Sequence, residues 1–378
     1  MRVGIPAETS PDERRVAMVP SVVAAVTGLG AEVAVQAGAG ASAGFSDDAY
    51  RQAGATIVKT VAEVLGKSDV VAKLQGPSLK EARALGEGSA LIALFSPARM
   101  ADVVKVLTDR RITSFSLELL PRTTRAQAMD ALSSQATVAG YRSVLVAAGR
   151  LPRFFPMLMT AAGTVPPAKV LILGAGVAGL QAIATAKRLG AVVSAYDVRA
   201  AARGEVESLG AKFIDLGLET AEGTGGYAAE QAEEQQRRQR EAMTAFVAEA
   251  DVVITTAQIP GRPAPVLLTG DMVSAMRPGS VVVDLASDTG GNVEVSVRGE
   301  EVDHGGVAVL GLANPASALA THASQMYARN IANLLKLVVS EGAFTPDFED
   351  DIVAGTCVTR GGEIVHEPTR AALEGAPA

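Results

Sequence analysis

Residues 169–197 read KVLILGAGVAGLQAIATAKRLGAVVSAYD, and the succession of segments within this stretch decides the fold. The apolar run Val170–Leu173 is typical of a buried parallel strand. Helix-forming residues occupy Val177–Leu189, and Gly190 follows as a C-terminal cap. A second apolar run, Ala191–Tyr196, ends the stretch. The stretch therefore predicts a strand, a tight turn, a helix and a second strand parallel to the first.

Three glycines lie at the predicted turn, Gly174, Gly176 and Gly179, in the spacing GxGxxG. The first allows a tight turn, the second lets a pyrophosphate approach the backbone, and the third lets the helix pack on the strand. Free N–H groups and the positive dipole at the helix N-terminus favour phosphate. Asp197, which ends the second strand, can accept hydrogen bonds from both hydroxyls of an adenosine ribose. These features predict a Rossmann-type dinucleotide site; an ordinary glycine-rich turn is the alternative.

The residues around Asp197 also bear on which dinucleotide binds. A carboxylate at this position repels a 2′-phosphate, which favours NAD(H) over NADP(H). Arg199 lies close by in the sequence and could accommodate such a phosphate, which works against this preference. On balance we expect NAD(H) to be the cofactor.

The composition excludes several classes of function. The chain has 378 residues, enough for about two domains. The 34 basic and 41 acidic residues give a formal net charge of -7, without the basic stretch that nucleic acid binding requires. One cysteine, Cys357, and three histidines leave little for a metal site and suit a reducing compartment. No run reaches the roughly 18 apolar residues of a membrane helix, so we expect membrane contact only through partners.

Short apolar runs alternate with helical stretches through the rest of the chain. Such alternation is typical of βαβ units in an α/β protein with mostly parallel sheets. We expect an amphipathic helix over residues 319–339 to return the chain to the first domain, and Cys357–His366 to form a hairpin that turns at Gly361–Gly362. The sequence thus predicts two Rossmann-like domains. The first is discontinuous and comprises residues 1–132 and 318–378, and the second, residues 133–317, binds the dinucleotide.

Further candidate cofactor contacts lie beyond the glycine turn. In a doubly wound sheet the carboxyl ends of the strands line the ligand crevice. Ala257 and Gln258 follow a candidate strand of the second domain and are expected at that crevice. Leu216–Gly226 is rich in glycine, threonine and acid, and Tyr227 follows it. We predict a mobile lid here, with Gly226 at a hinge and Tyr227 near the tip.

A polar segment lies at the junction of the two predicted domains. It starts at Arg122 and leads into a long, mostly helical stretch, Gln127–Leu151. Gln127, Asp130 and Ser133–Ser134 are spaced so that they share one face of that helix. The segment is therefore a candidate for binding and catalysis, directed into the interdomain cleft. A solvated face or a set of helix caps is the alternative.

Taken together, these stretches resemble the alanine dehydrogenase/NAD(P) transhydrogenase family over essentially the whole length of the chain. Within that family the chain is most similar to the NAD(H)-binding domain I subunits of proton-translocating transhydrogenases. The residues that carry the resemblance lie in Arg122–Gln135, Thr160–Pro167, Gly174–Arg199, Thr255–Pro265 and Gly355–Arg360. In combination they are far more specific than the glycine spacing alone.

The resemblance implies a homodimer in which each chain binds NAD(H) in a cleft between two Rossmann-like domains. It implies direct hydride transfer from NADH to NADP⁺ held by a separate domain III. This transfer would be coupled to proton translocation by a separate membrane subunit, domain II. The chain would be cytoplasmic and peripheral to the inner membrane through its partner subunits.

Individual residues take roles from the same resemblance. The positions that match residues holding the nicotinamide end are Arg122, Gln127, Asp130 and Ser133, with Tyr227 on the mobile loop. The positions that match pyrophosphate and ribose contacts are Val177, Ala178, Gly179, Asp197, Val198 and Arg199.

The chain departs from the alanine dehydrogenases that it resembles. It shares with them Arg15, Lys73 and Asp288, which would hold a substrate carboxylate and serve proton chemistry. Those enzymes also need a histidine acid/base near the end of the strand Ala90–Phe95, where this chain reads Phe95-Ser96-Pro97. Oxidising an amino acid requires such a group, whereas direct hydride transfer between nicotinamides requires only close, ordered stacking and exclusion of water. The missing histidine therefore favours a transhydrogenase.

Two other functions remain open at this point. One is a free-standing NAD-dependent amino-acid dehydrogenase acting on alanine or a relative of it. The other is a non-catalytic NAD(H)-sensing or scaffolding module. For Arg15 and Lys73, retention in structural ion pairs is also compatible with the sequence.

Overall fold

A computed structural model describes residues 1–217, 233–258 and 263–374. Its internal contacts divide the chain into two compact units, Met1–Gln135 with Ser317–Ala378, and Ala136–Ala316. The divisions fall after residues 135 and 316, where the sequence-based boundaries are 132 and 317. The first unit is therefore built from both ends of the chain.

Strands and helices alternate through both units. The strands are β1 (Arg2–Ile5), β2 (Glu32–Gln36), β3 (Thr56–Val58), β4 (Val70–Gln75), β5 (Ala90–Leu94), β6 (Thr113–Ser116), β7 (Leu158–Thr160), β8 (Gly163–Val165), β9 (Lys169–Leu173), β10 (Val192–Tyr196), β11 (Lys212–Phe213), β12 (Val252–Thr255), β13 (Val281–Asp284), β14 (Glu301–His304), β15 (Val307–Gly311), β16 (Val339–Ser340), β17 (Ala343–Phe344), β18 (Cys357–Arg360) and β19 (Glu363–Ile364). The helices are α1 (Pro20–Thr27), α2 (Asp47–Gln52), α3 (Val61–Lys67), α4 (Leu79–Ala84), α5 (Ala101–Asp109), α6 (Ala131–Arg150), α7 (Val177–Arg188), α8 (Ala202–Ser208), α9 (Glu233–Glu249), α10 (Gly270–Ser274), α11 (Ala320–Val338), α12 (Asp351–Thr356) and α13 (Glu367–Glu374). Within the described ranges, none of these helices is both long enough and apolar enough to cross a membrane.

The first unit contains an eight-stranded sheet in the order β19-β18-β6-β5-β4-β1-β2-β3. Strands β1 to β6 pair in parallel, and their spatial order, 3-2-1-4-5-6, is that of a doubly wound fold. Strand β18 joins β6 antiparallel, and β19 pairs antiparallel with β18. The hairpin predicted over Cys357–His366 is thus confirmed, with Gly361 and Gly362 at positive φ in its turn.

The second unit contains a seven-stranded sheet in the order β11-β10-β9-β12-β13-β15-β14. Its parallel strands repeat the order 3-2-1-4-5-6, and β14 adds an antiparallel edge beside β15. The order reverses between β9 and β12, which is where such sheets bind ligands. The predicted fold class, α/β with two Rossmann-like units and mostly parallel sheets, is confirmed.

The apolar strands are explained by burial on both faces of each sheet. In β9, Val170 and Ile172 belong to one core cluster, whereas Leu171 and Leu173 belong to another on the opposite side. All four side chains are at most 2% exposed. A strand covered on both faces reads as a continuous apolar run rather than an alternating one, as Val170–Leu173 does.

One segment differs from its prediction. The sequence predicts a polar turn over Ala161–Pro167, but the hairpin of β7 and β8 includes part of it. Gly163 adopts φ 126, which turns the chain, and Thr160 Oγ1 accepts from Ala162 N at 3.2 Å inside the turn. The β-branched residues beside the turn favour strands, a signal that the prolines at its end obscure.

Candidate nucleotide site and polar segment

The glycine turn joins β9 to α7 at the carboxyl edge of the second sheet. Gly174 adopts φ +100, and its N–H donates to Tyr196 O at 2.9 Å. A methyl group on Gly174 would lie 2.6 Å from Thr256 Oγ1, and one on Gly179 would lie 1.9 Å from the Gly174 carbonyl oxygen. The folded protein itself therefore requires glycine at both positions.

Gly176 differs from the other two glycines of the motif. Its φ of −75 and ψ of −169 are open to any residue, and it is exposed. No atom of the described protein lies within 4 Å of the position that a methyl group would take. Nothing in the described protein thus requires glycine here, whereas a ligand that touches the backbone would. The open space at Gly176 fits the pyrophosphate of a dinucleotide.

The N-terminus of α7 continues this open surface. Gly176 is the N-cap residue, and no side chain in the described ranges caps the helix. Val177 is exposed and Ala178 is half-buried, so the uncapped N–H groups face accessible space that suits phosphate. Gly140 of α6 packs against this turn so closely that a methyl group on it would lie 2.1 Å from Ala178 O. This contact fixes the first turn of α7.

Asp197 follows β10, and its side chain is 7% exposed. One carboxylate oxygen accepts from Ala175 N at 2.7 Å, which ties the side chain to the glycine turn. The Arg199 guanidinium donates to both carboxylate oxygens at 2.8 and 2.9 Å, and Val198 lies half-buried between the two residues. The structure therefore brings Asp197 and Arg199 together as an ion pair beside the turn. A ribose hydroxyl would share this carboxylate with Arg199, and a 2′-phosphate would compete with it for the guanidinium.

Replacing Asp197 with asparagine should shift the preference toward NADP(H). The change removes the charge that repels a 2′-phosphate and releases Arg199 to bind one. We expect the ratio of the Kd for NADPH to the Kd for NADH to fall about 10-fold to 100-fold, the worth of one charged hydrogen bond. Fluorescence titration with both reduced dinucleotides measures this ratio.

The matched control for that change is Arg199→Ala, which keeps the carboxylate. This variant should retain the preference for NADH. An unchanged ratio in Asp197→Asn would show that the carboxylate does not read the ribose.

The segment that follows β12 lies beside the glycine turn. Thr256 Oγ1 donates to Gly174 O at 3.0 Å. Ala257 is clamped by Asn292, whose Oδ1 accepts from Ala257 N at 3.0 Å and whose Nδ2 donates to Ala257 O at 2.9 Å. Gln258 Nε2 donates to Leu285 O at 3.1 Å. The sequence-predicted residues Ala257 and Gln258 thus lie at the same sheet edge as the turn, and Asn292 is a residue that sequence reasoning missed.

The polar segment of the first unit is not one helix. Thr124–Met129 forms a 3-10 helix, and α6 begins only after Asp130. The prediction that Gln127, Asp130 and Ser133–Ser134 share one helical face is therefore wrong. Asp130 adopts ψ 89 and caps α6, because its Oδ1 accepts from Ser133 N at 2.9 Å and its Oδ2 accepts from Ser133 Oγ.

The predicted residues of this segment fall into two local structures. Arg122 and Gln127 are exposed before the break, and Asp130 and Ser133 are half-buried and bonded to each other across the start of α6. Gly226 and Tyr227, the predicted lid residues, lie outside the described residues.

Arg15 and Lys73 are buried in ion pairs within the first unit. Arg15 donates to both carboxylate oxygens of Glu13 at 2.7 and 2.6 Å. Lys73 Nζ lies 2.7 Å from Glu81 Oε1 and 3.4 Å from Glu8 Oε2, and its side chain is 1% exposed. Burial raises the pKa of Glu8, only partly opposed by Lys73. Burial also raises the pKa of Glu81, but the charge and hydrogen bond of Lys73 outweigh this and hold it below its usual value.

The other two features noted against alanine dehydrogenases have equally definite surroundings. Asp288 Oδ1 accepts from Arg298 Nε at 2.6 Å in the second unit. Phe95, which follows β5, is 3% exposed and packs in an apolar cluster. Each charge that a small carboxylate substrate would use thus already has an internal partner, and the strand end offers no imidazole.

These features define a protein with one Rossmann-type nucleotide-binding unit and a second doubly wound unit. Residues 4–139 match the family model described as alanine dehydrogenase/PNT, N-terminal domain, and residues 143–367 match that of the C-terminal domain. The chain belongs to the alanine dehydrogenase/PNT family, as the sequence predicts, and hence to a group of nicotinamide-nucleotide-binding proteins.

Individual relatives fall in both branches of this family. The first portion of NAD(P) transhydrogenase subunit alpha of Rhodospirillum rubrum, a separate chain, is 50% identical over 376 residues, which are 97% of this chain and 98% of that protein. The crystal structure of transhydrogenase from Sinorhizobium meliloti superposes with a TM-score of 0.87 at 44% identity, covering 96% of this chain and 100% of that chain. An L-alanine dehydrogenase superposes with a TM-score of 0.82 at 26% identity, covering 99% of each chain. The fold is common to both branches, and the sequence is closer to the transhydrogenases.

Proposed function

We propose that this chain is the NAD(H)-binding subunit of a proton-translocating transhydrogenase. It passes hydride directly between NADH and NADP⁺ bound on a separate domain III. The observation that carries the proposal is the combination of an open glycine turn at Gly176 with a first unit whose Arg15 and Lys73 are neutralised internally. Such a chain is equipped to hold a dinucleotide but not to bind a small carboxylate. The identity to the subunit from Rhodospirillum rubrum supports the same function.

The proposal assigns a role to each candidate residue. Bound NADH supplies the hydride, so no side chain has to act as a nucleophile or as an acid/base. The residues that bind the pyrophosphate, the ribose and the adjoining strand-end surface are Gly174, Gly176, Val177, Ala178, Gly179, Asp197, Val198, Arg199, Ala257 and Gln258. The residues that orient the nicotinamide are Arg122, Gln127, Asp130 and Ser133. Gly226 and Tyr227 belong to the segment that covers the site and excludes water.

The proposed partners follow from the same function. The chain forms a homodimer, NADP(H) stays on domain III, and a membrane subunit, domain II, translocates protons. The chain is then cytoplasmic and reaches the inner membrane only through these subunits. The name of the Rhodospirillum rubrum relative denotes one portion of a subunit alpha, hence one component of a larger protein, and supports this arrangement.

An amino-acid dehydrogenase is the second candidate, and the similarity to L-alanine dehydrogenase favours it. The ion pairs of Arg15, Lys73 and Asp288 weigh against it, as does Phe95 in place of an acid/base. This candidate predicts NADH formation from alanine without any partner, whereas a nucleotide sensor predicts NADH binding without turnover in any assay.

The test is the reduction of NADP⁺ bound to purified domain III by NADH, with and without this protein. We expect NADPH to form much faster on mixing, and no NADH to form from NAD⁺ and alanine. Gln127→Asn should lower the rate more than the affinity for NADH, which separates a hydride donor from a sensor. No acceleration on mixing would count against the proposed function.

A further inference from the structure

Helix α11 carries a line of polar side chains that hydrogen-bond the backbone of the first unit. The bonds have donor–acceptor distances of 2.7–3.0 Å. Their side chains belong to Thr321, Ser324, Tyr327, Asn330 and Asn333. Because a helix turns by roughly 100° per residue, side chains at every third residue wind around its axis and meet different segments. The last two both reach the polar segment.

Asn330 bridges the break in that segment. Its Nδ2 donates to Ala128 O at 3.0 Å, on the 3-10 helix. Its Oδ1 accepts from Ser134 Oγ at 2.8 Å, in the first turn of α6. One side chain, 7% exposed, thus joins both sides of Asp130.

Asn333 provides a natural comparison, because it binds the same carbonyl without crossing the break. Its Nδ2 donates to Ala128 O at 3.0 Å, and its Oδ1 accepts from Lys336 Nζ at 3.0 Å on its own helix. It lies at the surface side of the contact, where a hydrogen bond competes with water.

The outer side of the segment is held more weakly. Arg125 pairs with Asp350 and Asp351 at the start of α12, but its side chain is 51% exposed. Exposed ion pairs restrain geometry poorly, since water and salt screen them. A buried amide with both of its hydrogen-bonding functions engaged restrains it well.

We propose that Asn330 is a positioning residue for hydride transfer. It fixes the angle between the 3-10 helix that carries Gln127 and the capped start of α6 that carries Asp130 and Ser133. The inference rests on the proposed function, in which these residues orient the nicotinamide. Direct hydride transfer depends steeply on that orientation, since a displacement of about 1 Å in a positioning group can cost roughly 100-fold in rate.

Three measurements on the full chain test this inference. They are the Kd for NADH by fluorescence titration, the single-turnover rate of NADP⁺ reduction on domain III, and the Tm. For Asn330→Ala we expect the rate to fall about 10-fold or more while the Kd changes by less than about twofold, because geometry is lost and the nucleotide site is intact. Asn330→Asp, which points an acceptor at the Ala128 carbonyl, should lose at least as much rate. Asn333→Ala should stay within about twofold of the wild type in both rate and Kd.

The outcomes separate this inference from the proposed function. Equal rates for Asn330→Ala and Asn333→Ala, or a rate that falls only in proportion to Kd and Tm, would overturn the positioning role. Should Asn330→Ala not fold, Ser134→Ala removes only the contact beyond the break and should still lower the rate at constant Kd; an unchanged rate overturns the inference. A wild-type chain that fails to accelerate NADP⁺ reduction overturns the proposed function and this inference together.

Discussion

Gly176→Ala should abolish strong NADH binding in a protein that remains as stable as the wild type. The added methyl group meets no atom of the described protein within 4 Å, so folding is unaffected. It enters the space proposed for the pyrophosphate, which has to contact the backbone. We expect the Kd for NADH to rise by roughly 100-fold or more, about 2.7 kcal/mol of lost binding. Fluorescence titration and thermal unfolding measure the two effects separately.

The matched control lies three residues further along the same motif. In Gly179→Ala the methyl group would meet the Gly174 carbonyl oxygen at 1.9 Å, so the turn and α7 have to separate. Overpacking of this kind costs about 1–3 kcal/mol or more, and the Tm should fall by several degrees. Loss of stability in Gly176→Ala, or NADH binding at wild-type strength in it, would refute a ligand-specific role for Gly176.

Arg15→Met should lower the free energy of unfolding by about 3–5 kcal/mol, the usual cost of removing one partner of a buried ion pair. The variant leaves Glu13 with a fully buried carboxylate that has lost both hydrogen bonds from the guanidinium. NADH binding by the folded protein should be unchanged, because the nucleotide turn belongs to the other unit. Denaturant titration and NADH fluorescence measure the two quantities.

The double variant Glu13→Leu/Arg15→Met supplies the control. Replacing the whole pair with apolar side chains should recover much of the lost stability, since no uncompensated charge remains. A single variant as stable as the wild type would contradict the structural role of the pair. It would also revive Arg15 as a ligand for a small carboxylate and, with it, the amino-acid dehydrogenase.

The parts of the fold that follow from local sequence patterns were predictable. The run Val170–Leu173 signals a strand covered on both faces, and Gly174 and Gly179 signal a turn whose close contacts leave no room for a side chain. The hairpin around Gly361–Gly362 was equally clear, because two glycines at positive φ separate short β-branched runs. In each case the cause lies within a few residues of the signal.

The parts that depend on remote partners were not predictable. Asn330 and Asn292 act on backbone groups of distant loops, and an isolated asparagine in a sequence gives no sign of such a contact. The break at Asp130 did have a local signal, since an aspartate three residues before a serine suits a helix N-cap. The helical spacing of Gln127 and Asp130 outweighed that signal in the sequence-based prediction. The packing of Gly140 against Ala178 O likewise depends on the folded unit alone.

The fate of the hydride tests the central claim most directly. NADH that carries deuterium at both C4 positions is mixed with this protein and with domain III loaded with NADP⁺, in ordinary water and without any amino acid or oxo acid. We expect each NADPH formed to contain one deuterium at C4, because the hydride moves from one nicotinamide to the other without meeting solvent. NADPH that carries hydrogen from water, or that forms only when a small metabolite is added, would contradict direct transfer.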